Sequence, residues 1–147
     1  MNEKNNRICP VEKAGSLDNR IRRLIQNPKK ILSPFIKEGM IVLDLGCGPG
    51  FFTISLAEMV GNTGRVIATD LQDGMLDKLK DKIEGTVLEK RIQLHKSENG
   101  KIGVEEKIDF ALAFYMIISV RKTLIALAST RNCVCLRWRI IVCLVFL

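Results

Sequence analysis

The stretch VLDLGCGPG at residues 42–50 places a run of glycines directly after a short apolar segment. That apolar segment covers residues 40–45 and is typical of a strand buried on both faces of a parallel sheet. Residues 51–60 follow with apolar side chains at helical spacing. The glycines let the chain turn tightly and let its backbone approach a ligand closely. A strand, a glycine-rich loop and a helix in this order indicate a ligand-binding turn.

Two acidic residues flank this turn in the expected fold. Asp44 lies within the otherwise apolar strand, where a buried carboxylate is costly unless it has a partner. Asp70 ends a second predicted strand, and in doubly wound sheets an acid at that place accepts hydrogen bonds from ribose hydroxyls. The structural alternative makes Asp44 a turn-stabilising residue and Asp70 a helix-capping residue.

The rest of the sequence alternates between strand and helix patterns. Strands are predicted at residues 40–45, 65–70, 92–95 and 108–115. A helix is predicted over residues 51–60, and two more are predicted with Asn27 and Asp73 as their N-capping residues. This alternation predicts an α/β three-layer sandwich with a Rossmann-like, mostly parallel sheet. We expect the strand that begins at Met40 to be central, with residues 108–114 as its neighbour.

Composition indicates a single globular domain of 147 residues, with 47% hydrophobic and 27% charged residues. The longest apolar run has eight residues, whereas a membrane span needs about 20, so we expect no membrane span. Residues 1–7 are polar, so we expect no signal peptide. Five cysteines without a C-x-x-C pair, together with one histidine, favour reduced thiols and no metal site. We therefore expect a cytoplasmic protein without a membrane partner.

The positive charge is concentrated near the end of the sequence. The net charge is +7, but the last acidic residue is Asp109 and five basic residues follow it. Residues 1–109 contain 18 basic and 16 acidic residues, so they carry only +2. Aromatic residues, which stack on bases, are also sparse. Charge and composition therefore argue against a nucleic-acid partner.

The segment at residues 44–50, DLGCGPG, resembles the first motif of class I methyltransferases that use S-adenosylmethionine. The resemblance extends from about Cys9 to Val120 and points to the small-molecule type. It implies that Gly46 and Gly48 lie against the methionine part of the cofactor, that Asp70 holds the ribose hydroxyls, and that Leu71 lies against the adenine. Glu98 would face the adenine amine. The full cofactor-binding set implied is Asp44, Gly46, Cys47, Gly48, Gly50, Asp70, Leu71 and Glu98.

The resemblance also divides the chain. Residues 1–38 would form an arm and helices that cover the cofactor site, residues 39–120 the cofactor-binding core, and residues 121–147 an atypical apolar and basic tail. The tail lacks acids, glycine and proline, so we expect an incomplete C-terminal part of the fold from a truncated product or a different reading frame. If a fifth strand is lost, the apolar run at residues 140–147, which is rich in residues that favour strands, has two possible fates. It is a substitute strand that pairs with the edge of the fourth strand or, as the alternative, an exposed segment prone to aggregation.

The implied function is methyl transfer from S-adenosylmethionine to a small-molecule acceptor. The alternative is a non-catalytic or truncated cofactor-binding fragment of such an enzyme. A nicotinamide-dependent enzyme is disfavoured by the glycine spacing, and a nucleic-acid methyltransferase by the distribution of charge. No catalytic residue is identified, because His95 and Tyr115 fit structural roles as well as catalytic ones. The sequence does not indicate the acceptor or the oligomeric state.

Overall fold

The computed structural model describes residues 26–98, 102–114 and 139–143, the last of these for the backbone alone. Five strands form one sheet in the order β3-β2-β1-β4-β5, and every neighbouring pair is parallel. The elements are α1 (Pro28–Leu32), β1 (Ile41–Leu45), α2 (Thr53–Val60), β2 (Arg65–Asp70), α3 (Asp73–Ile83), β3 (Ile92–Lys96), β4 (Phe110–Phe114) and β5 (Arg139–Cys143). The predicted α/β class and Rossmann-like sheet are confirmed.

The strand β1 lies at the centre of the sheet, as predicted. Leu43 is opposite Ile67 of β2 on one side and Ala111 of β4 on the other. Successive β1 residues belong to different buried clusters, with Val42 in the cluster formed with the helices and Leu43 in the cluster on the opposite face. Burial on both faces explains why the sequence of β1 is a continuous apolar run rather than an alternating one.

The helices on one face follow from their own sequences. α1 begins where expected, because the Asn27 carboxamide accepts hydrogen bonds from the Lys29 and Lys30 amides (3.1 and 3.3 Å) and Pro28 occupies the first turn. α2 buries Leu56, Ala57 and Val60 against the sheet, and α3 buries a similar apolar stripe. Both helices therefore cover the face that carries the first cluster.

The start of α3 differs from the prediction. Asp73 is the first helical residue and Gln72 is the N-cap, whose side chain makes no capping hydrogen bond. The Asp73 carboxylate instead forms an ion pair with Lys96 at 2.5 Å. The Asp70 carboxylate accepts the Gln72 amide hydrogen at 2.9 Å, so a residue of β2 binds the backbone ahead of the helix.

The segment near the end of the sequence contains a strand. β5 runs parallel to β4, with Ile140 opposite Ala111 and Ile141 opposite Leu112. This agrees with the alternative in which the tail pairs with the edge of the fourth strand. The first 25 residues of the predicted arm, Tyr115 and most of residues 121–147 lie outside the described residues. Within residues 26–98 and 102–114, no helix is long and apolar enough to cross a membrane.

Candidate cofactor site

The glycine-rich loop joins the carboxyl end of β1 to α2. Gly46, Gly48 and Gly50 all adopt left-handed backbone conformations, with φ of +69°, +54° and +89°. Residues with a side chain rarely adopt these angles, so the glycines are needed for the path of the loop. The amides of Gly46 and Cys47 both donate to the Thr69 carbonyl (2.8 and 2.9 Å), which fixes the loop to the end of β2.

The Asp70 carboxylate bridges this loop and the start of α3. One oxygen accepts the Gly48 amide hydrogen at 2.9 Å, and the other accepts that of Gln72 at the same distance. The structure thus brings Asp70 and the glycine loop together, as the sequence predicts. It also shows that Asp70 binds the backbone ahead of a helix, so the structural alternative describes a contact that is present. Asp70 is partly exposed, and each oxygen has a further lone pair for a ligand.

Asp44 is buried at the end of β1, with 3% of its surface exposed. Its carboxylate accepts a hydrogen bond of 2.7 Å from the Thr53 hydroxyl, at the first residue of α2. Burial raises the pKa of Asp44 from an ordinary value of 3.8 to about 6. The Thr53 hydrogen bond opposes this rise, and the nearby charge of Asp70 adds to it. The Asp44–Thr53 bond therefore closes the loop at its base.

Positions 48 and 50 both suit glycine, but for different reasons. A Cβ atom on Gly48 would meet no heavy atom within 4 Å, so this position faces open space beside Asp70. A Cβ atom on Gly50 would lie 2.4 Å from Leu79 Cδ1, a distance that real Cβ atoms do not tolerate. Gly48 thus leaves room for a ligand, whereas Gly50 allows α3 to pack against the loop.

Cys47 belongs to the core through its side chain. It is 7% exposed and packs in the apolar cluster beneath the helices. Burial raises the pKa of its thiol well above the ordinary value, and the charges of Asp44 and Asp70 raise it further. The thiol is therefore protonated and lies within hydrogen-bonding distance (3.5 Å) of the Gly48 carbonyl. Cys47 contributes to the candidate site through its backbone amide, which donates a hydrogen bond to the Thr69 carbonyl.

Leu71 and Glu98 border the same edge of the sheet. Leu71 directly follows Asp70 and is 38% exposed, and among the large apolar side chains that the structure describes only Val87 is also exposed. The Ser97 amide donates to the Asp70 carbonyl at 3.0 Å, so the segment after β3 runs beside the end of β2. Glu98 follows Ser97 and is exposed. An apolar surface next to carboxylates suits a flat heterocycle that also carries polar groups.

The structure gives the single histidine a structural contact. A ring nitrogen of His95 lies 2.8 Å from the Ile102 carbonyl oxygen, which connects β3 to the segment before β4. Tyr115, the other candidate substrate-side residue, lies outside the described residues. In the described part of the chain, no three His, Cys, Asp or Glu side chains are grouped so that they would hold a metal ion.

Sequence reasoning did not predict four residues that shape the loop. Thr53 binds Asp44, the Thr69 carbonyl binds two loop amides, Leu79 packs against Gly50, and Lys82 binds the Pro49 carbonyl. Thr53 carried a usable signal, because a hydroxyl side chain at the start of a helix that follows a buried acid is a natural partner for it. The contacts of Leu79 and Lys82 depend on how α3 packs, and the local sequence does not reveal this.

Comparison with known proteins identifies the family. A family model described as a methyltransferase domain matches residues 42–134, which is more than half of the chain. The chain belongs to this methyltransferase family. The match includes the whole glycine-rich loop and Asp70, so the residues of the candidate site lie in the part that defines the family.

Individual methyltransferases support this assignment. The SAM-dependent methyltransferase of Aquifex aeolicus is 34% identical, with a TM-score of 0.75 over 82% of this chain and 66% of that one. Demethylmenaquinone methyltransferase of Lactobacillus johnsonii is 46% identical over 63 residues, which are 43% of this chain and 26% of that protein. Ribosomal RNA large subunit methyltransferase E of Oleidesulfovibrio alaskensis is 51% identical over 37 residues, 25% of this chain and 18% of that protein.

These findings confirm the predicted resemblance to class I methyltransferases and the family cofactor, S-adenosylmethionine. They also show that the chain matches only about a quarter or less of the two curated relatives. One of these relatives is named for a quinone and the other for ribosomal RNA. The shared region therefore identifies the methyltransferase family but not the acceptor.

Proposed function

We propose that this methyltransferase-family chain binds S-adenosylmethionine at the carboxyl edge of its sheet and transfers the methyl group to a small-molecule acceptor. The observation that carries the proposal is the open space at Gly48 beside the Asp70 carboxylate. A backbone without a side chain and an adjacent acceptor for hydroxyl groups are what a nucleoside needs in an α/β fold.

The residues present suit each part of this cofactor. The backbone at Gly46 and Gly48 would lie against the methionine portion, and Asp70 would accept hydrogen bonds from the ribose hydroxyls. The exposed Leu71 offers an apolar surface for the adenine, and Glu98 offers an acceptor for its amine. Asp44, Cys47 and Gly50 would support the site by shaping the loop, through the contacts described above.

The chemistry needs little from the protein beyond alignment. The sulfonium of the cofactor supplies an already activated methyl group. The protein then has to hold the acceptor in line with that methyl group and to exclude water. A general base is required only where the nucleophile must lose a proton. The fixed glycine loop and the Asp70 bridge would provide the positioning on the cofactor side.

A small-molecule acceptor is supported by the charge distribution and by one relative. Residues 1–109 carry a net charge of only +2, which is little for a protein that has to grip a phosphate backbone. The Lactobacillus johnsonii relative is named for a quinone, demethylmenaquinone. The ribosomal RNA relative makes RNA the second candidate acceptor. We also predict that the protein is cytoplasmic and that residues 1–38 cover the cofactor site.

Calorimetric titration of the full chain with S-adenosylmethionine and with NAD tests the cofactor. We expect saturable binding of S-adenosylmethionine and none of NAD. Binding of NAD alone would contradict the proposal and favour a nicotinamide-dependent enzyme.

Transfer of a radiolabelled methyl group tests the acceptor. Demethylmenaquinone and ribosomal RNA are offered separately, and we expect label in the quinone fraction. Label in the RNA fraction would support the second candidate instead. Binding of the cofactor without transfer to either would favour the cofactor-binding fragment.

A further inference from the structure

Two residues of the helix α3 contact two adjacent residues of the glycine-rich loop, Pro49 and Gly50. Leu79 packs where a Cβ atom of Gly50 would stand, as described above. Three residues further along the helix, the Lys82 ammonium donates a hydrogen bond of 2.6 Å to the Pro49 carbonyl. This bond joins residues 33 positions apart and is partly buried.

The Lys82 bond acts on one rigid unit of the loop. The Pro49 carbonyl and the Gly50 amide belong to the same planar peptide group. Lys82 binds the oxygen of that group, and the Gly50 amide donates to the Cys47 carbonyl at 3.1 Å. Because both polar atoms of the peptide are bonded, its plane cannot rotate without losing a hydrogen bond. One of these bonds has a charged donor, which makes it stronger than a bond between neutral groups.

The peptide held by Lys82 adjoins the open position at Gly48. The amide of Gly48 is itself bound to Asp70, so the loop is held on one side by β2 and on the other by the last turn of α3. Asp70 borders the candidate cofactor space, whereas Lys82 reaches the loop from the helix. A rotation of the Pro49–Gly50 peptide would change the φ of Gly50 from +89° and with it the path of the loop that contains Gly48.

We propose that Lys82 is a positioning residue that holds the glycine-rich loop in its cofactor-binding conformation through the Pro49 carbonyl. The proposal rests on the proposed function for its cofactor but on the structure alone for the loop. It predicts that loss of the ammonium loosens the loop even without cofactor and weakens S-adenosylmethionine binding.

The test compares Lys82→Met, Lys82→Arg and the control Lys80→Met. Lys80 lies on the same helix and is exposed, so its substitution removes an equal charge without touching the loop bond. Amide hydrogen exchange of residues 46–52 is measured without cofactor, and the S-adenosylmethionine dissociation constant is measured by calorimetry. We expect faster exchange and about 5–20-fold weaker binding in Lys82→Met. Lys82→Arg restores most of both, and Lys80→Met resembles the wild type.

The outcomes separate this proposal from the proposed function. Unchanged exchange and unchanged affinity in Lys82→Met would overturn the positioning role, as would equal effects of Lys80→Met. Faster exchange in Lys82→Met, in a chain whose wild type fails to bind S-adenosylmethionine, would support the loop contact and refute the proposed function. If Lys82→Met melts well below the wild type, Lys82→Gln replaces it. A neutral donor should give an intermediate exchange rate, and wild-type exchange in that variant would overturn the proposal.

Discussion

The two ends of the central strand β1 use the same chemical group in opposite surroundings. At the amino end, the Asp109 carboxylate accepts the Ile41 amide hydrogen at 2.8 Å in an exposed position. At the carboxyl end, the Asp44 carboxylate is buried, and its bond to Thr53 does not prevent its pKa from rising to about 6. A carboxylate that only joins two strands can stay in solvent. The costly, buried carboxylate occurs where the glycine-rich loop leaves the strand, and there it binds Thr53 at the start of α2.

The residues around the carboxyl end of β1 also carry a higher stability cost than those around the amino end. The amino edge carries an ion pair between Arg65 and Glu106, whose side chains are 46% and 30% exposed. Such pairs contribute little to stability. The carboxyl edge carries three left-handed glycines and an exposed leucine, features that cost stability unless they serve another purpose. The amino end of β1 also has a left-handed glycine, Gly39 at φ of +84°, but the carboxyl end has three within five residues. Such a concentration of unfavourable local structure at the carboxyl edge is what we expect of a binding site in an α/β sheet.

The largest expected effect is that of Gly48→Val at the carboxyl end. Its side chain would enter the open space at this position, and a β-branched residue disfavours the φ of +54°. We expect S-adenosylmethionine affinity to fall by about 100-fold or more, measured by calorimetry. The control is Gly39→Val, just ahead of β1 at φ of +84°. It should lower stability and leave the affinity of the folded protein unchanged, and equal losses of affinity would refute the distinction between the ends.

The next effect is a pH dependence that originates at Asp44. Its folded pKa of about 6 lies above the ordinary 3.8, so the folded chain holds this proton more tightly than the unfolded chain. Its contribution to stability is complete below pH 3.8 and is lost as the pH rises through about 6. The free energy of unfolding should therefore decrease by up to about 3 kcal/mol across this window.

Urea denaturation at several pH values between 4 and 7 measures this dependence. Asp44→Asn does not titrate and should remove that part of the slope. Thr53→Val removes the hydrogen bond that favours the charged carboxylate, so it should move the transition to higher pH. An identical slope in the wild type and Asp44→Asn would show that Asp44 is not its source.

A smaller effect is expected for Asp70→Ala. Removing the carboxylate deprives the ribose hydroxyls of a charged acceptor, so we expect S-adenosylmethionine binding to weaken by about 1–3 kcal/mol. The matched variant at the other end of β1 is Asp109→Ala, which removes the bond to Ile41. It should leave the dissociation constant within about twofold of the wild type, because affinity depends on the carboxyl edge. Wild-type affinity in Asp70→Ala would remove its assigned role.

The smallest effect is expected for Glu106→Gln at the amino edge. The exposed pair with Arg65 should contribute about 0–1 kcal/mol to the free energy of unfolding, and high salt should reduce it. Cofactor affinity should not change. A loss of affinity in this variant would mean that the two ends of β1 are coupled and that affinity does not depend on the carboxyl edge alone.

The strands, the central place of β1 and its pairing with β4 were predictable, because strands buried on both faces are continuous apolar runs in the sequence. The apolar runs at residues 40–45 and 65–70 correspond to β1 (Ile41–Leu45) and β2 (Arg65–Asp70) within one residue at each end. The run predicted from residue 108 begins as a strand only at Phe110, although Ile108 is buried. An apolar side chain can be buried just outside a strand, so composition alone places strand ends poorly.

The candidate site was predictable where one residue type alone meets a local requirement. The left-handed loop positions need glycine, and the acid at the end of β2 follows from the geometry of parallel sheets. The capping residue of α3 was predicted wrongly, since the choice between Gln72 and Asp73 depended on backbone angles set by Asp70. The support from Leu79 and Lys82 was not predicted, because it arises only when α3 packs on the loop.

The position of β1 between β2 and β4 also sets the order in which the sheet is completed during synthesis. β2 follows β1 closely along the chain, but the bond between Ile41 and Asp109 joins residues 68 positions apart. A nascent chain that has not yet reached Phe110 therefore carries β1 with one edge unpaired. The unpaired N–H and C=O groups of that edge, together with the apolar side chains of β1, invite pairing with other chains. The emergence of β4 from the ribosome therefore supplies the partner that this edge of β1 needs.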